Sequence, residues 1–373
     1  MPDRGRWAAV LAAVALTSSV PFAVTGSAGA EPARTEPVFV DASDFVPMCT
    51  PDDSALGPVP DETSLAELSG LVSIGGLLYA VGDSGSDRAV AVLDEGCAVQ
   101  RWLPVPVDPY DIEDLATGPD GRLWLADTGD NGRVRTTVAL ISMDRGTGVG
   151  ELHRLTYPDG PHDAETVLIQ RDGTPLIVTK EVFGAAGVYR PAGGVGPAGP
   201  AGPGPVPLER AGRVETSEEQ VVTATNVPTV DSTMFTGGAV SADGAVAALR
   251  TYSDVYFYSD PDGDLVKALT AGPVLRVRLP QQPQGEAVAF DEDGDLLVGS
   301  EARDGPIPPV QVLRGAVALV QERADGAVTS SGTVDEILSP ETVGTRGVII
   351  AAVALAALAA MASVVLVVRR RAR

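Results

Sequence analysis

Histidine, cysteine and lysine are almost missing from this chain: its 373 residues hold two histidines, His153 and His162, two cysteines, Cys49 and Cys97, and two lysines, Lys180 and Lys267. A zinc centre of the usual nitrogen and sulfur ligands can barely be assembled from that stock. Positive charge is scarce too, with 27 basic residues against 50 acidic for a net of -23. Phosphate backbones need a clustered basic face, which excludes nucleic acid as a partner. Aromatics make up only 5% of the chain, while glycine and proline number 42 and 30, a balance that speaks for many turns and short strands. At 44% hydrophobic the chain can still bury a large core. No Asn-x-Ser/Thr sequon occurs, and no G-x-S-x-G elbow to support a serine nucleophile beside His162 and Asp163.

Long apolar runs lie at the two ends. The start has Arg4 and Arg6, an apolar run from Trp7 to Leu16 and the small-residue close Ala28-Gly29-Ala30. That pattern reads as a secretory signal over residues 1–30, with the mature chain beginning near Glu31. Gly347 to Val368 is 22 residues without a charge and runs into Arg369, Arg370, Arg371 and Arg373. As a helix it spans roughly 33 Å, enough for a bilayer, and the positive-inside rule keeps the basic tail in the cytoplasm. The expected order is therefore a signal, an extracellular domain over 31–340, a juxtamembrane stalk over 341–346, a transmembrane helix over 347–368 and a cytoplasmic tail over 369–373. Outside the cell an even cysteine count implies a bridge, so Cys49 and Cys97 are expected to pair.

Between the ends one pattern recurs five times: a short apolar segment, a turn, then a second β-forming strand. Glu67-Leu68-Ser69-Gly70 precedes Leu77 to Asp83, Glu113-Asp114-Leu115 precedes Leu123 to Asp127, and Glu165-Thr166-Val167 precedes Leu176 to Glu181. Gly238-Ala239-Val240 precedes Val246 to Arg250, and Glu286-Ala287-Val288 precedes Leu296 to Glu301. Asp-Gly joins the segments in the last four, a dipeptide in which both residues tolerate positive φ. The anchors are 46, 52, 73 and 48 residues apart, and the long interval contains the Ala-Gly-Pro stretch 191–207, read as a loop between blades. A period near 48 residues indicates an all-β fold, a β-propeller. Six blades are expected: five bear the motif, and a closing blade is built from Val38-Phe39-Val40 and the late segment Ala316 to Glu322.

With those residues set out, the chain resembles a widespread group of secreted, membrane-anchored bacterial β-propeller proteins, related in pattern to the phytase-like and six-bladed propeller families. The resemblance rests on Gly82-Asp83-Ser84-Gly85, Asp127-Thr128-Gly129-Asp130-Asn131, His162-Asp163-Ala164-Glu165, Leu249-Arg250-Thr251-Tyr252 and Gln284-Gly285-Glu286-Ala287, and covers roughly Pro60 to Arg314. It implies the fold and carries no general activity. A phytate site in particular needs many basic side chains to meet phosphates.

If the repeats are blades, Glu67, Glu113, Glu165 and Glu286 occupy one place in four of them and surround the channel mouth. Asp83, Asp127, Lys180, Arg250 and Glu301 close the second strands, and Asp163 stands two residues ahead of Glu165, as Asp111 does of Glu113. Such pairs point to one face of a strand and can serve as acid and base. A ring of like charges is costly unless cations neutralise it. Either the four glutamates hold Ca²⁺, an ion that takes six to eight oxygens, or Lys180 and Arg250 satisfy a structural network. Three functions follow: a surface-anchored module that binds a small ligand, a glycan or an envelope protein at the mouth; a Ca²⁺-dependent hydrolase or lactonase of the six-bladed kind; or a purely structural envelope protein. With the proposed topology, protease added to intact cells releases most of the mature chain as a soluble ectodomain. Protection until the membrane is broken refutes it.

Overall fold

The computed structural model describes residues 40–52, 63–83, 85–193, 204–216 and 233–337. The signal, stalk, transmembrane and tail segments expected from the sequence, Val38-Phe39 and residues 194–203 lie outside them. Among the described residues no helix is long and apolar enough to cross a membrane.

Strand β1 (Val46–Cys49) comes first, and then four-stranded antiparallel sheets follow in chain order. Sheet I holds β2 (Leu68–Ile74), β3 (Leu77–Gly82), β4 (Ala89–Leu93) and β5 (Val99–Pro104). Sheet II holds β6 (Ile112–Thr117), β7 (Leu123–Asp127), β8 (Val138–Met143) and β9 (Gly150–Thr156). Sheet III holds β10 (Ala164–Ile169), β11 (Pro175–Thr179), β12 (Ala186–Pro191) and β13 (Val206–Val214), and a short parallel pairing of β13 with β9 joins it to sheet II. Pro191 and Val206-Pro207 thus belong to strands and not to the loop read over 191–207. Sheet IV holds β14 (Phe235–Val240), β15 (Val246–Thr251), β16 (Asp254–Ser259) and, after helix α1 (Leu265–Ala271), β17 (Leu275–Arg278). Sheet V holds β18 (Gln284–Phe290), β19 (Leu296–Glu301), β20 (Val310–Leu313) and, on its outer edge, β1.

The first strand of each sheet packs on the first strand of the next, and β18 packs back on β2. Five apolar clusters fill the spaces between neighbouring sheets. Val72, Val81 and Val92 meet Ile112, Leu115 and Ile141 between sheets I and II, for example, and Ala287 and Leu297 meet Leu68 and Leu71 across the seam from V to I. The result is a propeller-like ring that closes at five sheets among the described residues. The sixth expected from the two chain ends is not one of them, for two reasons. The N-terminal segment supplies the outer strand of sheet V, and Ala316 to Glu322, expected as a strand, begins helix α2 (Ala316–Ile337). Ala316 and Val320 are buried in the cluster between sheets IV and V, so the helix caps that pair from outside.

The Asp-Gly turns form where expected, with a different division of labour. Gly121, Gly173, Gly244 and Gly294 have φ of 76°, 85°, 70° and 81°, whereas the aspartates before them are absent from the positive-φ set. In three of the four, the Asp carboxylate accepts the backbone N–H two residues on: Asp120 from Arg122 at 3.1 Å, Asp172 from Thr174 at 2.8 Å and Asp243 from Ala245 at 3.0 Å. Aspartate is there for its side chain and glycine for its backbone.

Cys49 and Cys97 form the expected disulfide, with Cα atoms 5.6 Å apart. Cys49 sits on the outer strand of sheet V and Cys97 in the β4–β5 turn of sheet I, so the bridge clamps the seam where the ring closes. The neighbouring Asp52 adds backbone hydrogen bonds of 3.1 and 3.2 Å to Cys97 and Val99. For a loop of 48 residues, the chain-entropy relation puts the contribution at roughly 4 kcal/mol. A Cys49→Ala, Cys97→Ala variant is therefore expected to unfold at lower urea by about that free energy; an unchanged midpoint contradicts a clamped seam.

Candidate functional site

Strand pairing sets which side chains reach the mouth. Each inner strand has one irregularity at the same height: between Leu68 and Gly70, Ile112 and Asp114, Ala164 and Thr166, Phe235 and Gly237, and Gly285 and Val288. A bulge of this kind inserts one extra residue and re-aims its side chain. Aligned on it, Ser69, Glu113, Glu165, Thr236 and Glu286 are equivalent, and all five are buried. Glu67 does not share this place, contrary to the sequence reading; it lies two residues earlier, in line with Asp111, Asp163, Met234 and Gln284. Ser69 and Thr236 instead donate from their hydroxyls to the backbone of the next sheet, Ser69 to Glu113 O and Thr236 to Gly285 O, the latter at 3.0 Å.

The same register sorts the residues that close the second strands. Asp83, Thr128, Lys180, Tyr252 and Glu301 are equivalent, whereas Asp127 falls one position short and Arg250 two. An odd offset turns a side chain to the opposite face. Asp127 accordingly accepts from Arg135 at 2.8 Å and from the backbone N–H groups of Tyr110 and Asp111 at 3.3 and 3.1 Å, where it braces the loop before β6. Arg250 takes the height of the core positions Val81, Ala126 and Val178 and is fully buried. It donates to Ala287 O at 2.8 Å, Gly299 O at 2.9 Å and Gln282 Oε1 at 3.0 Å, tying sheet IV to sheet V beneath the mouth. Neither side chain is in the carboxylate triads at the mouth, where the sequence reading expected both.

The remaining expected residues do converge. Three overlapping triads each bring one carboxylate oxygen per residue within 4.8 Å of the other two: Asp83, Glu286 and Glu301; Asp83, Asp111 and Glu113; and Glu113, Asp163 and Glu165. Asp83 belongs to two triads and Glu113 to two. Of the four glutamates expected to hold metal, Glu113, Glu165 and Glu286 are in this cluster, while Glu67 accepts from the Ser86 hydroxyl at 2.9 Å outside the triads. Asp111 joins in place of Glu67.

Few local groups balance this charge. Lys180 Nζ is ion-paired with Glu165 Oε1 and stands 5.6 Å from the centre of the Tyr252 ring. Gln284 donates to Glu286 Oε1 at 3.0 Å and Glu301 Oε1 at 2.7 Å, and Asp163 accepts from Asp130 N at 2.9 Å. Two buried oxygens, Glu165 Oε2 and Glu286 Oε2, have no hydrogen-bond partner. Burial, followed by the charges of Glu165, Asp83, Asp111 and Asp163, holds the Glu113 carboxyl well above the usual carboxylate range. Burial also raises Glu165 against the opposing pull of Lys180, and burial with the Glu286 charge lifts Glu301 from the usual 4.5 to about 8. Burial favours the neutral amine of Lys180, yet the Glu165 carboxylate outweighs it and keeps the ammonium protonated.

A cleft of about 570 Å³ opens beside the cluster, with Asp163, Lys180 and Tyr252 in its lining. Below the cluster the axis is tight: a Cβ at Gly70 would lie 2.6 Å from Leu115 Cβ, and one at Gly238 2.5 Å from Thr166 Cγ2. Asp114, buried just beneath, accepts from Leu115 N at 2.8 Å, Val167 N at 2.9 Å and also from Gly238, which links sheets II, III and IV. The tight axis leaves no route to the carboxylates from below. His162 is engaged elsewhere, 3.1 Å from both Asp159 Oδ1 and the Tyr189 hydroxyl.

Sequence reasoning passed over Tyr252 and Gln284 as site residues. Their signal was positional: each occupies, in its own repeat, the place held by a charged residue in three of the other four. Protonation of Glu301 gives the cluster a pH signature. The folded chain holds a proton there that the unfolded chain releases near 4.5, so stability without cations falls as pH rises from about 4.5 to about 8. Glu301→Gln, which carries no such proton, is expected to flatten part of that decline in melting temperature measured in EDTA; an unchanged slope contradicts the assignment.

No family model matches the chain, and no curated protein matches it. Among solved structures it is similar to a streptogramin B lyase at 12% identity, over 68% of this chain and 66%, just under two thirds, of that one, with a TM-score of 0.34. It is also similar to a gluconolactonase from Xanthomonas campestris at 17% identity, over 64% and 71%, with a TM-score of 0.37. A luciferin-regenerating enzyme aligns at 14% identity over 66% and 76%, also with a TM-score of 0.37.

Proposed function

We propose that the acidic mouth is the working centre of a divalent-cation-dependent hydrolase, with Ca²⁺ as the cation and a small ester or lactone as substrate, displayed outside the cell on a C-terminal membrane anchor. The observation that carries this reading is the pair of buried, unpartnered oxygens, Glu165 Oε2 and Glu286 Oε2, within overlapping carboxylate triads. Buried charge without a partner is costly, and a set of oxygen donors alone selects a hard cation. Asp83, Glu286 and Glu301, with Asp111 and Glu113 on the shared side of Asp83, are the residues that would hold it. The anchor and the extracellular placement rest on the apolar run from Gly347, its arginine flank and the signal-like start.

When bound, the cation supplies a charge that polarises a carbonyl oxygen. The chain's own groups in the cleft fit the rest of a hydrolysis. A water oxygen adds to the carbonyl carbon, the acyl C–O bond breaks, and the water proton passes through a carboxylate to the leaving alkoxide. Asp163, held by Asp130 N through one oxygen and lining the cleft, is placed to take that proton. The Lys180 ammonium, fixed by Glu165 and kept protonated, offers a preorganised positive charge to an oxygen that becomes negative.

A second reading, a module that binds a small ligand, a glycan or an envelope protein, is favoured by the Lys180–Glu165 pair, which already neutralises part of the cluster. Chelation separates the two. A hydrolase loses ester or lactone turnover with EDTA and regains it with Ca²⁺, whereas a binding module keeps its ligand affinity in chelator. Calcium at roughly a hundredfold excess over its Kd adds about 2.7 kcal/mol to stability. That gain is expected in the wild type and not in Glu113→Gln, Glu286→Gln, which breaks all three triads; calcium-independent melting of the wild type overturns the cation site.

A further inference from the structure

The cleft beside the carboxylates has a mixed lining. Asn131, Arg133, Asp163, Lys180 and Glu181 bring polar groups to it, while Val182, Phe183, Met234 and the Tyr252 ring bring apolar surface. Phe183 is 83% exposed, the highest value among the exposed large hydrophobic side chains of the described residues. Its loop is nevertheless pinned. Arg133 Nη2 donates to Glu181 Oε2 at 2.8 Å and to Lys180 O at 3.4 Å, and the Thr233 hydroxyl donates to Val182 O at 3.3 Å. The chain leading into Phe183 is therefore held by polar contacts at Lys180, Glu181 and Val182 while the Val182 and Phe183 side chains face water. Val182 and Phe183 thus stand as two adjacent exposed apolar side chains at a cleft mouth, and about 570 Å³ lies within the size range of pockets for small molecules.

We infer that the substrate is amphiphilic: an ester or lactone whose carbonyl lies against Lys180 and Asp163 and whose alkyl or aromatic substituent lies along Val182, Phe183 and Met234. This rests on the hydrolytic reading and adds the substrate class. A polyhydroxylated sugar would leave unpaired those hydroxyls that lie along Val182, Phe183 and Met234, and a phosphate-rich substrate would meet a carboxylate cluster. Each methylene fully buried there raises kcat/KM up to about fourfold, the equivalent of about 0.8 kcal/mol.

The test is a series of 4-nitrophenyl esters from acetate to octanoate, hydrolysed by the full chain in calcium and by its Phe183→Ser variant, which alters an exposed side chain. In the wild type kcat/KM is expected to climb with chain length, and Phe183→Ser is expected to lower the octanoate-to-acetate ratio at least tenfold. Turnover with no dependence on chain length, or an equal loss on all esters in the variant, overturns the amphiphilic substrate and leaves the hydrolytic reading standing. If no ester is turned over, the hydrolytic reading falls, and binding of an anilinonaphthalene sulfonate probe decides the cleft. Fluorescence enhancement lost in Phe183→Ser supports an apolar-ligand cleft, and no enhancement in the wild type overturns it.

Discussion

Every inner strand of this protein is buried on both faces, and that single constraint obliges the chain to form a ring. Leu115 packs toward sheet I, for instance, while Val167 packs toward sheet II. A strand apolar on both sides needs a neighbour on each side, and a linear stack would leave two sheets with bare faces. The chain meets this need by bringing β18 back to β2, with β1 as the outer strand of the last sheet and a disulfide across the join. Ring closure in turn brings the equivalent ends of five inner strands to one axis.

Convergence of equivalent positions is what makes the mouth electrostatically demanding. Repeats that carry glutamate at the bulge concentrate charge where burial is deepest, and the protein answers in three ways. Sheets I and IV place Ser69 and Thr236 there, whose hydroxyls stitch neighbouring sheets and add no charge. Lys180 is inserted where Asp83 and Glu301 stand in other repeats, and it pairs with Glu165. Glu113 and Glu301 hold their protons above the usual carboxylate range. Substitution of the repeat, more than the repeat itself, gives the mouth its chemistry.

The architecture was legible in the sequence because its signals are local. Alternating β-formers, Asp-Gly turns and a spacing near 48 residues identify the repeating unit, and two cysteines leave one pairing. The number of units was not legible, because both chain ends compete for the same edge. A strand before the first repeat can complete the last sheet or begin another, and Ala316 to Glu322 reads equally as a buried strand or as the apolar face of a helix. Within the site, residue types were right while heights were sometimes wrong. Glu67, Asp127 and Arg250 each lie one or two positions from the converging set, a displacement too small to see without the bulge that sets the register.

That sensitivity to register explains how one scaffold separates structure from chemistry within a few residues. Arg250 and Tyr252 are two apart on one strand end, yet the arginine spends its donors on the backbone carbonyls of Ala287 and Gly299 while the tyrosine lines the cleft. Asp127 and Thr128 are adjacent, and the first braces the loop before β6 while the hydroxyl of the second donates to Ala164 O at 2.6 Å. The braces lie below and beside the cluster, where Arg250, Asp114 and Asp127 bind backbone groups of neighbouring elements and hold those elements at fixed separations. Carboxylates that repel one another cannot set their own spacing. The polar groups buried around them set it instead, while two oxygens of the cluster itself, Glu165 Oε2 and Glu286 Oε2, stay without a hydrogen-bond partner.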